Sequence, residues 1–134
     1  MTAIAAWHAY AKSPHPAALH ALLDPDVTFD SPVVHTTQHG RAITAAYLAA
    51  AMTILGTADF RYTGEWRSAT GAVLEFETVI DGIAVNGVDI IRLTDDRQRI
   101  AAFGLPTLIL MEGGYAVEAL GPNVASFLSG FSRR

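Results

Sequence analysis

The sequence predicts an α+β fold with helices first and strands after them. Apolar residues recur at helical spacing through residues 3–55 and at strand spacing from residue 59 to about 111. Two turn dipeptides, Thr70-Gly71 and Asp81-Gly82, divide the second region into strands, the latter as a strong two-residue hairpin signal. A chain of 134 residues that is 51% hydrophobic and 16% charged has enough apolar surface for one core, and its order of periods is that of segregated layers.

In the first helix, residues 2–12, Ile4, Trp7, His8 and Ala11 share one stripe, and Ser13-Pro14 ends it. Pro16 suits the first position of a short second helix that runs to Leu22 and stops at Asp24-Pro25. Val27-Thr28-Phe29-Asp30 alternates as a short strand closing at Ser31-Pro32, and a histidine-containing loop, 33–40, follows. The third helix spans about 41–55. Its expected buried face is Ile43, Ala46, Tyr47, Ala50 and Ile54, with Gly56 at the favoured C-terminal position.

From residue 59 the chain reads as a meander of four strands. Phe60, Tyr62 and Trp66 alternate with Arg61, Thr63 and Glu65; strands over 72–80, 83–93 and 99–111 follow. In the second of them Leu74, Phe76 and Ile80 oppose Val73, Glu75, Glu77 and Val79, so one face is expected to lie under the helices. Asn86-Gly87, inside a strand, reads as a bulge. After Gly121-Pro122, Val124, Phe127, Leu128 and Phe131 form a helical stripe. Residues 1–112 are thus expected to be one domain and 113–134 its C-terminal helical tail.

Several classes of function are disfavoured by composition. A net charge of -4, with no basic cluster beyond Arg133-Arg134, argues against a nucleic-acid partner. Zero cysteines exclude disulfides and thiolate chemistry. His8, His15, His20, His35 and His39 show no HxH or HExxH spacing, so no metal is expected; without a Walker or GxGxxG pattern, no cofactor is expected either. The longest charge-free run, 42–58, is too short and too weakly apolar to span a membrane. The N-terminus lacks a basic leader region, so a cytoplasmic location is expected.

Val27-Thr28-Phe29-Asp30-Ser31-Pro32, then Gly40 before a helix, and Val88-Asp89-Ile90-Ile91-Arg92-Leu93, a polar turn and Arg99-Ile100-Ala101-Ala102-Phe103 carry a family resemblance. In order and spacing these segments resemble the NTF2-like superfamily, in particular its SnoaL-like and ketosteroid-isomerase-like branches. The resemblance implies a cone-shaped barrel of three helices on a curved, mainly antiparallel sheet, with an apolar pocket between them, and commonly a homodimer. It does not imply one reaction, because this fold hosts isomerases, cyclases, hydrolases and binders.

In ketosteroid isomerases a carboxylate base removes a proton beside a carbonyl while a Tyr and a protonated Asp receive the oxyanion. Those positions correspond here to Ser31, Trp7 and Asp89, so the Asp alone is retained. Asp30 is expected on the opposite strand face. The acidic positions of cyclases and epoxide hydrolases correspond to the apolar Phe103-Gly104-Leu105-Pro106 and to Glu75-Phe76-Glu77, which lacks the Arg. The candidate catalytic groups are therefore Asp89, whose carboxyl among apolar neighbours should hold its proton, and His35, a loop histidine near the pocket mouth. Trp7, Ser31, Tyr47, Trp66, Ile91 and Phe103 are the candidate ligand-binding residues. The expected ligand is a small hydrophobic organic molecule, bound for isomerase- or cyclase-type chemistry. The alternatives are a non-catalytic carrier or sensor and a dimeric interaction module.

Overall fold

The computed structural model describes residues 2–31 and 36–104. The expected tail and its apolar stripe, and His35, lie outside the described residues. Three helices, α1 (Ala3–Lys12), α2 (Pro16–Leu22) and α3 (Arg41–Leu55), accompany six strands: β1 (Leu23–Asp30), β2 (Gln38–His39), β3 (Arg61–Arg67), β4 (Gly71–Ile80), β5 (Ile83–Leu93) and β6 (Ile100–Gly104). Thr2 caps α1, its hydroxyl accepting the Ala5 N–H at 3.3 Å, and Pro at the start of α2 fills a position whose amide has no helical partner.

One curved, open sheet has the strand order β2-β1-β6-β5-β4-β3. The run from β3 to β6 is the expected antiparallel meander. Ile80 pairs with Ile83 across Asp81 and Gly82, whose φ values of 51° and 80° make the primed turn that matches the twist of a hairpin. β1 begins at Leu23, earlier than the expected Val27, and lies parallel to β6, aligning Phe29 with Phe103. The segment 33–40 is not all loop, since Gln38 and His39 pair with Phe29 and Thr28.

Leu74, Phe76, Thr78, Asp89 and Ile91 are buried on the face that meets the helices, together with Trp7, Tyr10, Leu19, Val27, Phe29 and Phe103. On α3 the buried residues are Thr44 and Leu48, with Tyr47 and Met52 packed beside them; Ile43 and Ile54 are 39% and 61% exposed. The helix is apolar nearly all round, so spacing alone does not choose its inward face. The bulky Leu48 and Met52 choose it. No helix among the described residues is long and apolar enough to cross a membrane.

Bulges fall elsewhere than at Asn86-Gly87, where pairing with β4 runs without interruption. One lies at Thr63, between Tyr62 and Gly64, and another between Arg92 and Leu93. An extra residue reverses the side-chain alternation beyond it. Tyr62 is paired with the inward Phe76 and, past the bulge, Glu65 with the inward Leu74, whereas Trp66 is paired with the outward Val73. Trp66 is consequently 59% exposed.

Candidate active site

Asp89 sits on β5 opposite Leu74, on the helix-covered face, and is only 5% exposed. Tyr62 lies two strands away, in a cross-strand row with Phe76 and Gly87. Gly87 is required there for space: a Cβ would come within 2.5 Å of Phe76 Cζ. With the Phe76 ring laid over that glycine, the phenol of Tyr62 crosses to Asp89.

Tyr62 donates its hydroxyl proton to Asp89 Oδ2 at 2.6 Å and accepts the Trp7 indole N–H at 2.7 Å. Trp7 is itself fixed by α1 and by ring contacts with Tyr10 and Phe103, at centroid separations of 5.5 and 4.8 Å. A helix and two strands therefore hold one buried chain of hydrogen bonds. Burial pushes the Asp89 carboxyl up to about 6, against the opposing pull of the hydrogen bonds from Tyr62 and Trp7. Burial and the adjacent Asp89 charge push the Tyr62 phenol well above its ordinary range. Tyr62 thus keeps its proton and Asp89 is the group that titrates.

Next to this chain is a cavity of about 20 Å³, walled by Trp7, Leu48, Met52, Tyr62, Asp89 and Phe103, among others. That is room for about one water molecule. Outside it, between the ends of α1 and α3 and the start of β3, opens a cleft of about 630 Å³ lined by His8, Lys12, Phe60, Arg61 and Tyr62, within the range of small-molecule sites. Met52, Phe60 and Tyr62 border both spaces and form the partition between them. The unbranched Met52 side chain can rearrange at low cost. Displacing it would open the cleft to Tyr62 and Asp89, the polar groups on an otherwise apolar wall.

Of the candidate ligand-binding residues, the structure places Trp7 and Phe103 on the inner cavity wall. Ile91 is core, 2% exposed on the Asp89 face. Tyr47 stacks on Phe29 at 5.6 Å and lines neither space. Ser31, half-buried after β1, also lies outside both walls. Trp66, turned outward by the bulge, cannot line the cavity. Asp30 is exposed and accepts the Thr37 hydroxyl at 2.6 Å. His39 is a β2 residue directly before Gly40, the N-cap of α3. Tyr62 is the main residue the sequence reading missed. Its signal was the inward alternation with Phe60. No group of three potential ligands among the described residues is placed to hold a metal ion.

The sequence model of the SnoaL-like domain matches residues 4–103. A steroid delta-isomerase from Pseudomonas aeruginosa superposes with a TM-score of 0.70 at 28% identity, covering 98% of this chain and 93% of that one. An NTF-2-like protein of unknown function from Burkholderia xenovorans superposes at 0.66 with 16% identity and 84% coverage of both chains. Acetylpolyamine amidohydrolase 1 of P. aeruginosa is 62% identical over 34 residues, which make up 25% of this chain and 10% of that protein.

Proposed function

The chain belongs to the SnoaL-like domain family, within the NTF2-like superfamily, and we propose that it binds a small hydrophobic carbonyl compound and catalyses isomerase-type proton transfer beside the carbonyl. The observation that carries this reading is the buried Trp7–Tyr62–Asp89 chain, which aims a phenol and an easily protonated carboxyl at an apolar cavity. The similarity to a steroid delta-isomerase over nearly the whole chain supports it. The ligand body fills the outer cleft, and its oxygen passes the Met52–Phe60–Tyr62 partition. Such an oxygen gains most when charge develops on it, as in an enolate.

4-Nitrophenol tests the acceptor site, because its phenolate oxygen stands in for an enolate oxygen. Asp89→Leu should weaken its binding by about 1 to 3 kcal/mol, whereas Asp89→Asn, which keeps a donor, should bind nearly as wild type. Equal affinity for wild type and Asp89→Leu, measured by absorbance titration, would exclude this site.

A non-catalytic carrier is the second reading. It is favoured by the small volume of the inner cavity, about 20 Å³, and by Ser31, which has no carboxylate with which to accept a proton. A β,γ-unsaturated ketone bound without turnover would select it.

We also propose a homodimer formed through the outer sheet face. There Trp66, Val73 and Ile90 make one cross-strand row, with Trp66 59% and Ile90 44% exposed. Charged and polar pairs, Arg61 with Glu77 and Asn86 with Glu75, lie beside that row, the arrangement of an apolar interface centre with a polar rim. Light scattering should give about twice the chain mass of 14.3 kDa, falling to one chain in Trp66→Glu. A wild-type monomer at micromolar concentration would refute it.

A further inference from the structure

Resting on the reading of Trp7, Tyr62 and Asp89 as an oxyanion site, we propose that His8, oriented by Glu65, is the proton-transfer base of this chain. His8 Nε2 lies 2.6 Å from Glu65 Oε2, and the other Glu65 oxygen is held by Arg67 Nε. The His8 ring stands edge-on to the Tyr62 ring, with centroids 4.9 Å apart and planes at 84°. His8 and Tyr62 line the same 630 Å³ cleft, so base and oxyanion donor face one bound molecule.

The arrangement depends on the bulge at Thr63. Without the extra residue Glu65 would share the outward face, and His8 would have no carboxylate beside it. Half-exposed ion pairs contribute little to stability, so folding does not account for a carboxylate and an arginine linked to the cleft-wall histidine His8. A carboxylate on one ring nitrogen fixes the imidazole and stabilises its cation, leaving the other nitrogen to accept a proton. It also supplies the acceptor that Ser31 cannot.

For a β,γ-unsaturated ketone the step balances within the site. The ring nitrogen of His8 not engaged by Glu65 takes the proton from the α-carbon as the C–H bond breaks. Its electron pair forms the enolate double bond, and the charge passes to the oxygen held by Tyr62 and Asp89. The imidazolium then returns the proton to the γ-carbon, giving the conjugated ketone and neutral His8. No further reactant is consumed.

Androst-5-ene-3,17-dione turnover, followed by the absorbance of the conjugated product, tests the proposal, with 4-nitrophenol binding measured in parallel. His8→Ala should lower turnover about a hundredfold, leave 4-nitrophenol binding within about twofold of wild type, and be partly rescued by added imidazole. Glu65→Gln, a change in a positioning residue, should lower kcat with KM unchanged. Full turnover in His8→Ala would overturn the proposal. So would a wild type that binds 4-nitrophenol through Asp89 yet gives no turnover, with the oxyanion site left standing. Absence of Asp89-dependent binding would remove the oxyanion reading beneath it as well.

Discussion

Tyr62→Phe should destabilise the fold by about 1 to 3 kcal/mol, because one lost hydroxyl removes both a donor and an acceptor from a buried network. Trp7 Nε1 loses the phenol as acceptor and Asp89 Oδ2 loses it as donor, in residues only 2% and 5% exposed, which leaves the hydrogen bond of Trp7 to Asp89 alone. Each unsatisfied buried polar group costs about 1 to 3 kcal/mol. Tyr62 is also the first of the groups that hold the Asp89 carboxyl down, so its loss should drive that carboxyl further above its ordinary range. Urea unfolding checks the magnitude. A change smaller than about 0.5 kcal/mol, the scale of ordinary surface substitutions, would mean that the hydrogen-bond chain contributes nothing. In Tyr62→Phe/Asp89→Leu the losses should not add, since the residues share one network.

The second large effect is the pH dependence that Asp89 contributes. Its carboxyl is raised from 3.8 to about 6 in the folded chain, so the native state binds this proton more tightly than the unfolded state does. Protonation of Asp89 therefore stabilises the fold fully below the unfolded value, and that stabilisation is lost as pH rises through about 6. A shift of this size corresponds to about 3 kcal/mol. Glu65 and Asp96 are both lowered, Glu65 first by its hydrogen bond from Arg67 and Asp96 first by that from Thr94, so their contributions run the other way and are lost on acidification. They are common to wild type and Asp89→Asn. Between about pH 3 and pH 7, Asp89→Asn should gain about 3 kcal/mol relative to wild type, read from urea midpoints across the range. A constant difference would mean that Asp89 titrates alike in both states.

Elements set by local chemistry were legible in the sequence. Pro16, Ser13-Pro14 and Asp81-Gly82 act through backbone geometry that neighbours cannot override, and the helix and turn they mark lie where expected. The inward position of Asp89 followed from strand alternation on β5, which is unbroken as far as Arg92. What escaped was non-local. The parallel pairing of β1 with β6 joins segments about 75 residues apart, and no local pattern encodes it. The inward face of α3 was misassigned because alanines and isoleucines surround the helix, leaving packing by Leu48 and Met52 to decide.

The bulge at Thr63 had the largest consequence for the site. A single extra residue sent Trp66 outward and Glu65 inward, so regular alternation gave the wrong side for both. Trp7 and Asp89 were found as separate candidates. Their link through Tyr62 depends on the space at Gly87 and on how Phe76 fills it, which is a property of three strands together.

The decisive measurement is an NMR titration of the Asp89 side-chain carboxyl carbon in the folded protein, assigned by comparison with Asp89→Asn. A carboxyl buried beside Trp7 and Tyr62 against an apolar cavity should show a midpoint near 6, so that it still donates a hydrogen bond in mildly acidic solution. A midpoint below the ordinary aspartate value of about 3.9 would contradict this: Asp89 would then be a permanently ionised structural acceptor, and the pocket would lack its proton donor.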